Sequence, residues 1–303
     1  MQKIIPSIWC SGNADEMAEF YVAALPATRI AQSQNYPTEG LPEFQRDMAG
    51  KTITIDLEVG GYRLNLLNGG DEFAPNPSIS FMLDFDGGRR GEGDAGDDAR
   101  AELDRTWAML AEDGQVMIPL GEYPYSPWYG WVQDRFGVSW QLMLAGPGGA
   151  PRPPVVPNLM FCGPNQNRAS DALTTYAEVY GGTRGTTAEY AEPTGPANAG
   201  AVMFGDVELA GQWFAAMDSG TEQDFTFSEG ISLIVQCENQ DEIDRFWNVL
   251  SQDPSAEQCG WCRDAFGVSW QVVPKNIGTL LKEPGAFPAM LQMKKIVIAD
   301  LHG

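Results

Sequence analysis

One histidine, His302, is the only imidazole in 303 residues, so a His-based set of metal ligands cannot be assembled anywhere in the chain. Cysteine is also scarce. Five in a chain of this length do not make a disulfide framework, and the odd count leaves at least one thiol unpaired. Basic residues are few, 19 Lys and Arg against 41 Asp and Glu, which leaves a formal charge of −22. That charge repels phosphate backbones and anionic lipid, so neither nucleic acid nor a membrane is an expected partner. No apolar run approaches membrane-spanning length, and the segment from Met1 to Ser7 lacks the apolar core and small-residue cleavage pattern of a secretory signal. The expected location is cytoplasmic.

What the chain does have is a repeat. Trp131-Val-Gln-Asp-Arg-Phe-Gly-Val-Ser-Trp-Gln141 returns as Trp261-Cys-Arg-Asp-Ala-Phe-Gly-Val-Ser-Trp-Gln271, 130 positions later. Pro6 to Gly12 matches Pro157 to Gly163, Gly61 to Gly70 runs beside Gly211 to Gly220, and Asp104 to Trp107 beside Asp244 to Trp247. The offset falls from about 150 to 140 to 130 along the chain, which locates two insertions in the first copy, at 84–98 and 123–130. The Gly/Pro-rich stretch Ala145 to Pro154 separates the copies. The expected domains are 1–146 and 156–303, joined by a linker at 147–155, with a helical tail after the second.

Within each copy the periodicity runs strand, helix, then alternating strands, and the same order begins again. Ile4 to Cys10 is a strand, Asp15 to Leu25 a helix that Asn13 or Asp15 caps, and Gly60-Gly61 a hairpin turn. The expected fold is α+β: two tandem modules, each of paired βαβββ units whose curled sheet forms a cup with helices on its convex face.

The order βαβββ, the segment Gly12-Asn13-Ala14 followed by Phe20-Tyr21, and the closing motif Asp134 to Gln141 resemble the glyoxalase/bleomycin-resistance/extradiol-dioxygenase superfamily. The closer resemblance is to its PhnB-like branch, often labelled 3-demethylubiquinone-9 3-methyltransferase. Metal-dependent members of the superfamily place His or Glu at four positions in the cup. The resemblance carries these onto Pro6, Asn65, Ser78 and Gln141 in the first module and Pro157, Ala215, Gly230 and Gln271 in the second. None of these residues is a His or an acid. Asn65 and Gln141 offer amide oxygens, but neutral ligands do not offset the dehydration of a divalent ion. No metal and no cofactor is therefore expected. A methyl donor of the S-adenosylmethionine type is held by a Gly-rich strand-to-helix turn in a parallel sheet, and no such turn is found.

The expected function is binding of a small, largely apolar molecule in a metal-free cup of the first module, by sequestration or an unidentified reaction. The alternatives are a metal-dependent lyase, isomerase or dioxygenase, and a non-catalytic interaction module. Candidate ligand contacts are Asn65, Ser78, Gln141 and Gln271, with Tyr123, Tyr125 and Trp128 from an aromatic insertion read as a lid. Trp140 and Trp270 read as core. Trp213 and Met217 project beside Ala215 and are expected to fill the second cup. Cys259 and Cys262 have redox spacing but no helix N-terminus behind them. Gly69 to Phe73 spells a cyclase signature outside the structural context that signature needs. The two modules are expected to pair within the chain as a monomer.

Overall fold

The computed structural model describes residues 2–39, 41, 43–85, 95–144 and 153–301. Most of the linker and of the first insertion, together with His302, lie outside the described residues. The first unit is β1 (Ile4–Cys10), α1 (Ala14–Ala24), β2 (Thr28–Asn35), β3 (Thr52–Val59) and β4 (Tyr62–Asn68). The second is β5 (Ile79–Phe85), α2 (Ala95–Ala111), β6 (Gln115–Tyr123), β7 (Ser126–Gln133) and β8 (Ser139–Leu144). The third is β9 (Val155–Phe161), α3 (Ala169–Tyr180), β10 (Thr183–Glu189), β11 (Val202–Leu209) and β12 (Gln212–Asp218). The fourth, β13 (Ile231–Cys237), α4 (Gln240–Leu250), β14 (Trp261–Arg263) and β15 (Ser269–Pro274), has no strand corresponding to β6. Two short helices, α5 (Ile277–Leu280) and α6 (Ala286–Leu291), follow. No helix of the described residues is long and apolar enough to cross a membrane.

The fold is α+β with two curled sheets, and the units are shared between the modules. The seven-stranded sheet runs β14-β15-β13-β1-β4-β3-β2 and so joins the first unit to the fourth. The eight-stranded sheet runs β10-β11-β12-β9-β5-β8-β7-β6 and joins the third to the second. The seams are β1 against β13, with Ser7 opposite Ser232, and β5 against β9, with Ser80 opposite Asn158. This corrects the expectation that each module closes its own cup. A local repeat dictates each unit but is silent on which copy supplies its neighbour.

Strand alternation then separates two faces. In the seven-stranded sheet Ile4, Ile8, Leu64, Leu66, Leu233 and Trp270 point to the helices and form one continuous core with their twins in the other sheet. The Gly60-Gly61 turn has positive φ at both residues (55° and 89°), the geometry of a two-residue hairpin that glycine adopts without strain. Helix α1 is not capped by Asn13 or Asp15: Asn68 Oδ1, on the neighbouring β4, accepts from the Ala14 N–H at 3.0 Å. Asp218 does the same for Ala169 in α3. These caps arrive from another element, where local sequence offers no sign of them.

The repeated motif owes its form to a buried carboxylate. Asp134 Oδ1 accepts from the N–H groups of Phe136 and Val138, at 2.9 and 3.1 Å, across a loop in which Gly137 has φ 84°. Its Oδ2 accepts from Trp140 Nε1 and from the Tyr21 hydroxyl of α1, both at 2.8 Å. Asp264 repeats the arrangement with Phe266, Val268, Trp270 and Tyr176. Trp140 and Trp270 are fully buried core residues, and each motif pins a helix of one unit to the closing strand of another.

Candidate functional site

One residue beyond each motif tryptophan, the chain turns to the concave face. Gln141 and Gln271 occupy this position, and alternation fixes which residues join them. In the seven-stranded sheet these are Ser7, Asn65 and Ser232. Ser7 Oγ donates to Asn65 Oδ1 at 2.9 Å, and Gln271 Nε2 donates to Ser232 Oγ at 2.9 Å. In the eight-stranded sheet the equivalents are Asn158, Ala215 and Ser80, with Gln141 Nε2 donating to Ser80 Oγ at 2.9 Å. Four positions carried over by the resemblance are thus corrected. Pro6, Ser78, Pro157 and Gly230 do not lie on the concave faces beside these amides; Ser7, Ser80, Asn158 and Ser232 do. Strand boundaries were legible, but an error of one or two residues changes the face or the level.

The two cups differ in what fills them. On the eight-stranded sheet Met82, Val156 and Ala215 pack with Met143, Phe204 and Trp213. Beside them Tyr129, Trp131 and Met160 pack with Met117, Met217 and Phe225. Trp213 and Met217 do project beside Ala215, and partners from both modules join them, Met82 and Met143 from the first and Val156, Met160, Phe204 and Phe225 from the second. Gln141 belongs to this occupied cup, its Oε1 accepting from the Tyr129 hydroxyl at 2.8 Å.

The aromatic insertion is not a lid loop but the end of the β6–β7 hairpin. Pro119 is tolerated on the edge strand β6, whose outer groups need no ladder partner, and Pro124 lies in the turn between β6 and β7. Tyr123, Tyr125 and Tyr129 cluster at its tip, with Tyr123 and Tyr125 stacked at 5.6 Å. Trp128 turns to the helix side, where its Nε1 donates to Asp104 at 2.7 Å and Arg100 lies over its ring.

The seven-stranded cup is open. A cavity of about 360 Å³ lies between its concave face and the C-terminal segment, at the small end of ligand pockets, which run from about 300 to 1,000 Å³. Asn65 and Gln271 line it; Ser78, Tyr123, Tyr125, Trp128 and Gln141 do not. Its walls carry Gln32, Gln34 and Asn35 from β2, Asp56 and Arg63 from the β3–β4 hairpin, and Gln236 from β13. Trp261, Ile277, Phe287 and Met290 supply apolar surface. The tail closes over β2 at Gly278, where a Cβ would sit 2.6 Å from Gln34 Nε2. Sequence reading missed Gln32, Gln34 and Gln236, although their alternate spacing on strands marks them as one face.

Charge in this cavity is paired. Arg63 meets Asp56 at 2.8 Å, the second Asp56 oxygen accepts from Asn65, and Lys275 pairs with Glu238. Cys259 also lines the cavity, while Cys262 turns into the core, and burial raises both thiols. All five cysteines are free.

The residues that lie side by side on the two cup floors are Ser7, Asn65, Ser232 and Gln271 in one and Asn158, Ala215, Ser80 and Gln141 in the other. These donors are neutral and largely bonded to one another. Asn158 Oδ1 and Gln271 Oε1 accept no hydrogen bond from the described residues, and one neutral amide oxygen in each cup does not hold a divalent ion. Among the described residues no three His, Cys, Asp or Glu side chains converge. The donor set does not fit a metal centre.

Cup-shaped sheets assembled from βαβββ-type units, with a four-position floor, define a protein of the glyoxalase/bleomycin-resistance/extradiol-dioxygenase class. Within it, the chain belongs to the family described as 3-demethylubiquinone-9 3-methyltransferase, which matches residues 2–143 and again 153–273. Glyoxalase I from Zea mays is similar in structure over 92% of this chain and 93% of its own, with a TM-score of 0.53 at 11% identity, a likeness of fold. A PhnB protein from Bacillus cereus is 28% identical over 48% of this chain and 100% of its own (TM-score 0.38). Protein PA1353 from Pseudomonas aeruginosa is 23% identical over 48% of this chain and 98% of its own (TM-score 0.36). No curated protein matches the sequence.

Proposed function

We propose that the protein binds a small polar molecule in the cavity between its first and fourth units, held by neutral side chains rather than by a metal centre. The observation that carries this reading is the set of amides that converge there without protein partners. Among the described residues, no hydrogen bond involves the side chains of Gln32, Gln34, Gln236 or Asn276, all on the cavity wall. The apolar ligand expected from the sequence gives way to a polar one, because the aromatic concave face packs on itself. Binding serves sequestration or a reaction that the cavity residues do not by themselves define. Among the described residues, the strand-to-helix connections at Ser11–Asn13 and Cys162–Arg168 carry one glycine each, so neither supplies the Gly-rich turn that would support the methyl transfer in the family's description. The second cup, closed by its own side chains, serves as scaffold. Five free thiols accord with the reducing cytoplasm.

Gln236→Trp is the test. The residue is half-buried and its side chain has no protein partner, so a tryptophan there fills the cavity without breaking a hydrogen bond. Ligand-observed NMR with a library of polar metabolites should find compounds that bind the native protein and not the variant. A library in which nothing separates the two, or in which binding requires added zinc, nickel or manganese, would overturn the reading.

A further inference from the structure

The chemistry of the cavity wall narrows the class of molecule, on the premise that this cavity is the binding site. We propose that it receives a neutral polyhydroxylated molecule, a sugar or cyclic polyol, seated among carboxamides and against the face of Trp261.

Carboxamides on the wall come from three directions: Gln32 and Gln34 from β2, Gln236 and Gln271 from the fourth unit, and Asn276 from the start of the tail. Each carboxamide carries both an acceptor oxygen and two donor hydrogens, and a hydroxyl is likewise both donor and acceptor. A ring bearing several hydroxyls can therefore satisfy such a wall, whereas an apolar molecule would bury those amides without partners, at a cost that opposes binding. Gln271 keeps one amide function for the purpose: its Nε2 is committed to Ser232, and its Oε1 has no protein donor.

Trp261 adds a second element. It is directly opposite Gln271 in the β14–β15 ladder, so its ring stands beside that amide on the same face. Trp9 braces it edge-on at 5.9 Å. A braced indole next to unpaired amides offers an apolar plane for the C–H face of a ring whose edges carry hydroxyls.

The charges argue against an ionic ligand. Arg63 is neutralised by Asp56, Asp56 is further occupied by Asn65, and Lys275 is paired with Glu238, so neither an anion nor a cation meets an unpaired countercharge. The net charge of −22 adds a field that repels anions before they arrive.

The test uses the full-length protein and matched probes: glucose and myo-inositol as neutral members, with gluconate, glucose 6-phosphate and glucosamine as charged counterparts. Saturation-transfer NMR and titration of tryptophan emission should show the neutral probes binding about tenfold or more tighter than the charged ones. Gln34→Leu and Gln236→Leu should each weaken binding about tenfold, and Trp261→Phe should remove the emission change. Equal or tighter binding of charged probes, blocked by Gln236→Trp, would overturn the ligand class and leave the cavity reading intact. No binding by these probes, while other library compounds bind and are blocked, would also overturn the ligand class alone. No blocked binding by any compound would overturn both.

Discussion

Asp134 and Asp264 each collect four donors in the core, and burial still raises their carboxyls above the ordinary carboxylate range. The folded state therefore holds more protons than the unfolded chain between the ordinary value and the raised one. Stability from this source is present on the acid side of that window and is lost as pH rises through it. Asp264→Asn cannot titrate, and its amide nitrogen would face Tyr176 and Trp270, both of which donate. The expected cost near neutral pH is about 2 kcal/mol, the order of an unsatisfied buried donor. Urea unfolding followed from pH 4 to pH 7 should show this deficit larger at acid pH and shrinking toward neutrality. A deficit that grows with pH would mean that the four donors hold the carboxylate charged and outweigh its burial.

Among the elements, the C-terminal segment carries the clearest expectation, because it forms one wall of the cavity while packing as part of the core. Phe287 is 5% exposed, stands edge-on to Tyr36 and lines the cavity, so Phe287→Ala should cost about 3 kcal/mol and open the wall. Cys259 is the sensor for that opening, since the other four thiols are buried. In the native protein a thiol reagent should modify one cysteine, slowly, because burial raises that thiol; in the variant the same site should react faster. Unchanged kinetics in a folded Phe287→Ala protein would show that the segment does not gate the cavity. This wall was not legible in the sequence, because Asn276 to Gly303 has no twin in the first module against which to place it. The repeated units were legible for the opposite reason. Each copy of Asp-x-Phe-Gly-Val-Ser-Trp-Gln certifies the other, and alternation places the tryptophan in the core and the glutamine in the cup. Asn65, carried over by the resemblance, does line the cavity, but the one- or two-residue slips at Pro6 and Ser78 show that such a carry-over fails when a strand's first residue is uncertain.

For the whole molecule, exchange of units across the modules decides how the assembly closes. Each sheet takes one unit from each copy, so the seams β1–β13 and β5–β9, which two single-module chains would have to form between them, are formed within one chain. Gln212 strengthens the link, its side chain accepting from the N–H groups of Lys3 and Ile4 and donating to the carbonyl of Ile4. What remains for further association is the four outer strands, and each is a poor template. β14 has three residues, and β2, β10 and β6 are interrupted by register shifts that break the row of outward hydrogen-bonding groups. A net charge of −22 adds mutual repulsion between copies at low salt. The chain is therefore expected to be a monomer, with light scattering at moderate salt giving a mass near 33.0 kDa. A mass near twice that value, persisting on dilution, would show that a surface other than these edges carries a stable interface and that the exchanged modules do not complete the assembly.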